Sequence, residues 1–108
     1  MEISNQHIVD FELFEVAGRL DTSNADELDK VVMESLDNNC ESFLFDLSNL
    51  EYISSYGIRI FVKLLRKQAR VSLLIESESV YSIFKMTGLE ERLNIKTELK
   101  EAIKALHI

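Results

Sequence analysis

The sequence has no proline and only three glycines, Gly18, Gly57 and Gly88. So few breakers leave no room for a Pro/Gly-rich linker, and no repeat or low-complexity segment is present. A single cysteine, Cys40, excludes an internal disulfide. It lies in Asp37-Asn38-Asn39-Cys40-Glu41 with no ligand set nearby, which reads as an inert thiol and fits a reducing, cytoplasmic setting. The two histidines, His7 and His107, sit near opposite termini, so no Cys/His metal set is expected. No serine has a plausible histidine base in the proposed site, which makes a hydrolase triad unexpected, and there is no G-x-x-x-x-G-K-[ST] loop. With these parts missing, neither an enzyme nor a bound cofactor is expected. No apolar run is long enough to span a bilayer. Met1-Glu2-Ile3-Ser4 lacks the basic region and apolar stretch of a signal peptide. Positive charge is scarce: 12 Lys and Arg against 19 Asp and Glu, a formal net of −7. That balance argues against nucleic acid or an anionic membrane as partner. What remains is 108 residues, 46% hydrophobic, enough for the core of one small domain over residues 1–108.

The sequence is organised around Phe43 to Leu65, FLFDLSNLEYISSYGIRIFVKLL. Phe43-Leu44-Phe45 reads as a buried strand. Asp46-Leu47-Ser48-Asn49 supplies turn chemistry. After Ser54-Ser55 the spacing of Ile58, Phe61, Val62 and Leu65 predicts an amphipathic helix running to about Lys67. The same spacing turns Tyr56, Ile60, Lys63, Lys67 and in part Leu64 toward solvent. A serine here can accept a hydrogen bond from a free N–H of the first turn. That helix end also favours an anion. On local grounds Ser54 and Ser55 are either caps alone or a cap beside a modifiable hydroxyl.

Around this centre the chain alternates strands and helices. Met1–Asn5 is a candidate edge strand. Ile8–Ala17 is a stronger one, with Glu12 and Glu15 expected to face water and Gly18 ending it. The loop Arg19 to Asn24 feeds a helix with Asp26 and Glu27 in its first turn and a stripe of Ala25, Leu28, Val32 and Leu36. Arg70–Ile75 is a strand. Ser77 caps a helix carrying Val80, Ile83 and Phe84, and Gly88 suits a left-handed residue after it. Leu93–Ile95 is a short strand, and Thr97 caps a last helix with Leu99, Ala102, Ile103 and Leu106. The order β-β-α-β-α-β-α-β-α predicts an α/β fold. Its sheet has four or five strands, mostly parallel, with an antiparallel hairpin at one edge and about four helices. Two loops at the strand carboxyl ends, Gly18 to Asn24 and Asp46 to Ser55, then place Asp21 near Ser55. Asp21 and Asp46 read as capping or turn residues rather than as a carboxylate pair.

At Gly18-Arg19-Leu20-Asp21, at Phe45-Asp46-Leu47-Ser48 through Ile53-Ser54-Ser55-Tyr56-Gly57-Ile58, and at Thr87-Gly88-Leu89, the sequence resembles STAS domains of the anti-sigma factor antagonist family. The resemblance covers nearly the whole length, and the middle stretch is its most specific part. It implies a small α/β domain that binds an anti-sigma factor serine kinase and so frees a sigma factor. In that family the kinase phosphorylates a serine at the start of the central helix, which ends the interaction, and a phosphatase resets the cycle. The family motif resembles Asp-Ser-Ser/Thr-Gly. Against Ser54-Ser55-Tyr56-Gly57, its modified serine falls on Ser55, with Ser54 as second choice, and the family's acidic loop residue falls on Asp21. Ser54 stands where the motif has aspartate, and Tyr56 where it has a small residue. The expected partner surface is Asp21, Ser54 and Ser55 from the resemblance, joined by Tyr56 and Ile60, which helical spacing turns outward beside the phosphosite; no membrane insertion is expected.

Two other readings stand beside this one. The first is an unmodified STAS scaffold or a subunit of a larger assembly, of stress-signalling or lipid-transport type. The second is a small-ligand or nucleotide binder, which has only generic helix ends in its favour.

Overall fold

In the computed structural model, residues 1–106 are described; His107 lies outside them. The chain forms β1 (Glu2–Ile8), β2 (Phe11–Leu20), α1 (Ala25–Asp37), β3 (Ser42–Asp46) and β4 (Leu50–Ile53). It continues through α2 (Ser55–Arg66), β5 (Arg70–Leu74), α3 (Glu78–Lys85), β6 (Ile95–Lys96) and α4 (Leu99–Ala105). The α/β order and the mixed sheet follow the sequence reading. The sheet runs β1-β2-β3-β5-β6, and β4 pairs with β2. Only the β1–β2 hairpin is antiparallel among these pairings.

Several details differ from the sequence reading. Leu50–Ile53, read as loop, is a strand of four residues. It exists because Gly18 does not end β2. At φ +87, Gly18 makes an irregularity in register, and Arg19 and Leu20 carry the strand on to pair with Tyr52 and Ile53. The first hairpin turns at Val9-Asp10, so β1 is longer and β2 starts later than expected. Glu12 is buried rather than solvent-facing. Its carboxylate accepts from Asn5 Nδ2 at 2.8 Å and lies 3.2 Å from His7 Nδ1, both on β1, which lets a polar group enter the sheet.

Alternation along the strands divides the core in two. Phe14, Phe43 and Phe45 point to the face covered by α1, α2 and α3. Phe11 and Leu44 point to the face that α4 covers with Ala102 and Leu106. The larger core is a chain of rings. Phe45 stacks on Phe14 at 5.4 Å, meets Phe61 of α2 edge-on at 4.9 Å, and Phe61 meets Phe84 of α3 at 5.6 Å. On the other face Ser72, fully buried, donates from Oγ to the Ala102 carbonyl at 2.8 Å. The α4 cap position is Glu98, without a side-chain bond, instead of Thr97, and Leu99 is exposed. Ser77 caps α3 as expected, accepting from the Val80 N–H, and Gly88 adopts φ +73.

Candidate functional site

The start of α2 is fixed by the β2–β4 pairing. The Ser54 N–H donates to the Leu20 carbonyl at 2.9 Å, which ties the end of β4 to the end of β2. Ser54 is the N-cap, in extended conformation, and its Oγ accepts from the Gly57 N–H at 3.2 Å. Its hydroxyl is therefore engaged in holding the first turn. Ser55 follows as the first helical residue and is exposed. So the two serines divide the roles left open above: Ser54 caps, and Ser55 presents its side chain to solvent. Ser54→Ala should cost about 1 kcal/mol of stability through the lost cap, within a range of about 0.5–2, while leaving Ser55 in place. Chemical denaturation would check this.

Gly57 explains how closely this turn sits on the sheet. A Cβ there would lie 2.9 Å from Leu20 Cγ and 3.1 Å from Ile53 Cγ1, both on buried side chains. The missing side chain lets the first turn of α2 rest directly on the ends of β2 and β4.

Asp21 organises the neighbouring loop. Its Oδ1 accepts from the Ser23 N–H at 3.0 Å and the Ser23 hydroxyl at 2.6 Å. Its carbonyl accepts from the Ala25 N–H at 2.9 Å, opening α1. The Ser23 hydroxyl, more than any other group, pulls the Asp21 carboxyl below its usual range; the nearby Arg19 acts in the same direction. Asp21 is thus ionised at neutral pH, beside the strand end that carries Ser54. Asp46 makes the same turn with Ser48, at 3.0 Å to its N–H and 2.6 Å to its hydroxyl. Both aspartates are turn residues, as their sequence context suggested.

Tyr56 is 38% exposed and joins α2 to α1 by donating from its hydroxyl to Asp26 Oδ1 at 3.1 Å. That hydrogen bond to a carboxylate raises the tyrosine pKa, so the phenol stays neutral. Further along, Lys63 Nζ pairs with Asp29 at 2.8 Å. These two links hold α1 against one flank of α2, above a groove of about 280 Å³. They also account for a correction. Ile60, expected on the exposed side, is 4% exposed, because α1 covers that flank as well as the sheet covering the base. Leu64 is fully buried for the same reason, whereas Val62 and Leu65 are only partly buried. Ile60 therefore offers no surface to a partner.

Of the residues read from sequence, Asp21, Ser54, Ser55 and Tyr56 lie together at one end of the sheet. Two others escaped that reading. The Arg19 guanidinium lies 4.3 Å from the centre of the Tyr52 ring, directly across the β2–β4 pair. Arg59 lies 5.6 Å from the Tyr56 ring, within α2. Arg19 was visible in the loop that carries Asp21, but Tyr52 gains meaning only once β4 is a strand. Among the described residues no group of three or more His, Cys, Asp or Glu side chains could hold a metal ion. No described helix is long and apolar enough to cross a membrane.

This arrangement, a mixed sheet with a serine pair at the head of its central helix, defines a class. The profile of the STAS domain family matches residues 2–102, and the chain belongs to that family. No curated protein sequence matches it significantly. Solved structures share the fold. An anti-sigma factor antagonist from Mycobacterium paratuberculosis superposes with a TM-score of 0.89 at 17% identity, covering 99% of this chain and 94% of that one. The Bacillus cell fate determinant SpoIIAA in its phosphorylated form gives 0.73 at 17% identity, covering 95% and 97%. A sulfate transporter family protein from Wolinella succinogenes gives 0.69 at 17% identity, covering 93% and 87%.

Proposed function

We propose that this chain is an anti-sigma factor antagonist: a binding module, without catalysis of its own, that engages an anti-sigma factor serine kinase and is released when Ser55 is phosphorylated. The observation that carries this reading is the division between the serines. Ser54 is occupied by the Gly57 N–H, whereas Ser55 is exposed on the first helical residue. A kinase needs an accessible hydroxyl, and a helix N-terminus tolerates the charge that results. Asp21, Ser54, Ser55 and Tyr56 form the contact surface, and a phosphatase restores the hydroxyl. The named neighbours support this reading through fold: one is an anti-sigma factor antagonist, and another is described in a phosphorylated form. The test mixes the chain with a purified anti-sigma factor kinase and follows the complex before and after ATP. Binding without nucleotide, followed by release on ATP, is the expected result. A complex unaffected by ATP would overturn the switch.

A second reading has one observation in its favour. Tyr56 stands where the family motif has a small residue, directly after Ser55, and is tied to Asp26. That suits an unmodified STAS module in a larger assembly, and one fold neighbour is described as a sulfate transporter family protein. Phosphosite mapping after kinase and ATP, on the native chain and on Tyr56→Phe, separates the two. Under the switch reading, losing the Asp26 tether costs no more than about 1 kcal/mol of stability and leaves phosphorylation at Ser55 intact.

A further inference from the structure

From Tyr52 to Ile75 the sequence contains no aspartate or glutamate, while it contains Arg59, Lys63, Arg66, Lys67 and Arg70. This segment carries +5 and the rest of the chain −12, which together give the net −7. Four of these cations lie on α2 or at its C-cap. Helical spacing puts Ser55, Arg59, Lys63 and Arg66 along one line, opposite the buried side chains of Ile58, Phe61 and Leu64, with Lys67 beside it. Arg59, Arg66 and Lys67 are exposed. Among the described residues only Lys63 of the four has a carboxylate partner, Asp29.

Structural roles explain part of this ridge. Lys63 ties α1 to α2. Arg66 and Lys67 complement the negative end of the helix dipole. Arg59 has neither explanation. It is nearer the positive end of the helix, and its guanidinium lies 5.6 Å from the Tyr56 ring centre. Arg59 and Lys63, and Lys63 and Lys67, are like charges one turn apart, an arrangement that weakens an isolated helix. Neighbouring α1 carries the opposite sign, with Asp26, Glu27, Asp29, Glu34 and Asp37 against Lys30.

We infer that the solvent face of α2, from Arg59 through Lys63 and Arg66 to Lys67, is a docking ridge for a carboxylate-rich surface on the protein that engages Ser55. This rests on the functional reading above and names the chemistry of the partner. The ridge is continuous with Ser55, so a body seated on that serine lies along it. Charge complementarity selects an acidic protein surface that is compact. A nucleic acid or an anionic membrane would extend past the ridge onto Asp26, Asp29 and the rest of a strongly acidic molecule. The ridge steers encounter and sets register, while the surface around Ser55 carries the switch.

The test uses the kinase that phosphorylates Ser55 as the probe and measures association and dissociation rates at low and high salt. Arg66→Glu with Lys67→Glu reverses two ridge charges that lie outside the core. Lys85→Glu with Lys100→Glu makes the same change in net charge on α3 and α4. Circular dichroism checks that both pairs fold. We expect the ridge pair to slow association roughly tenfold or more and to flatten its salt dependence, with the α3/α4 pair close to the native chain. Equal slowing by both pairs, or no slowing by the ridge pair, overturns the ridge and leaves the kinase reading intact. Failure of the native chain to bind and be phosphorylated removes the functional reading, and the ridge with it. Tight binding of the native chain to duplex DNA or phosphatidylglycerol vesicles at physiological salt would also overturn an acidic protein as the occupant.

Discussion

Ser55→Ala is expected to fold, to bind the kinase and to stay bound when ATP is added. The side chain is exposed and takes no part in the cap, so removing its hydroxyl leaves the helix start unchanged. Phosphate at this position adds about −1.5 to −2 charges at neutral pH. The helix N-terminus favours such a group by about 0.3–1 kcal/mol when it is exposed. Against that stand the ionised Asp21 in the adjoining loop and the chain's net −7. These opposing terms are both small, so the fold itself changes little. The interface is where the large effect falls. A partner surface fitted to a neutral hydroxyl has to desolvate a dianion without a cation to match it, a cost of several kcal/mol. At that size the affinity falls by a hundredfold or more, by the usual relation of about 1.4 kcal/mol per tenfold. Ser55→Asp carries a smaller charge and less bulk, and is expected to weaken binding by an intermediate amount. Titration calorimetry of the three forms, with and without ATP, checks the order. Loss of binding by Ser55→Ala without ATP would show that the hydroxyl is a contact and not only a switch.

Gly57→Ala is expected to destabilise the fold and to weaken partner binding together. Alanine in a helix is better than glycine by about 1 kcal/mol, so propensity alone predicts a gain. Packing predicts the reverse. The new methyl would lie 2.9 Å from Leu20 Cγ and 3.2 Å from its Cδ2, and 3.1 Å from Ile53. Leu20 is 0% and Ile53 1% exposed, so neither has free space to move into. Overpacking of this kind costs about 1–3 kcal/mol. The clash therefore wins or cancels, and the net loss is roughly 0–2 kcal/mol, at its upper end several degrees in melting temperature for a domain of this size. Relief comes most readily by lifting the first turn of α2, which moves Ser54 and Ser55 with it. Gly57→Val, with a larger branched side chain, should cost more. Thermal unfolding checks the stability, and kinase affinity measured well below the melting point checks the displacement. A Gly57→Ala chain more stable than the native one would show that α2 is not seated this closely.

The central helix and its serines were legible in the sequence because two independent signals coincide there. Apolar side chains recur at helical spacing, and hydroxyl residues stand immediately before them. Which serine caps was not legible, since both have the chemistry and only the Gly57 N–H decides between them. Ile60 shows the limit of helical spacing. The pattern marks one buried face, but α2 is covered on a second flank by α1, through links from Tyr56 and Lys63. Glu12 shows the limit of polarity. A carboxylate reads as solvent-facing until Asn5 and His7, brought opposite by the hairpin, cover it. The strand Leu50–Ile53 was hidden because it is four residues long and its outer positions alone are buried. Its existence depends on Gly18 turning the register of β2 rather than ending it, a matter of backbone conformation that composition does not reveal. The Val9-Asp10 turn was hidden because it lacks the glycine or asparagine that marks most tight hairpins.

The measurement that bears most directly on the switch is phosphosite mapping by mass spectrometry after incubation with the kinase and ATP. Ser54→Ala is treated in parallel to separate adjacent hydroxyls. One phosphate on Ser55, in both the native chain and Ser54→Ala, is the predicted result. Phosphate on Ser54 alone would contradict the assignment, and an unmodified chain that still binds the kinase would contradict the switch.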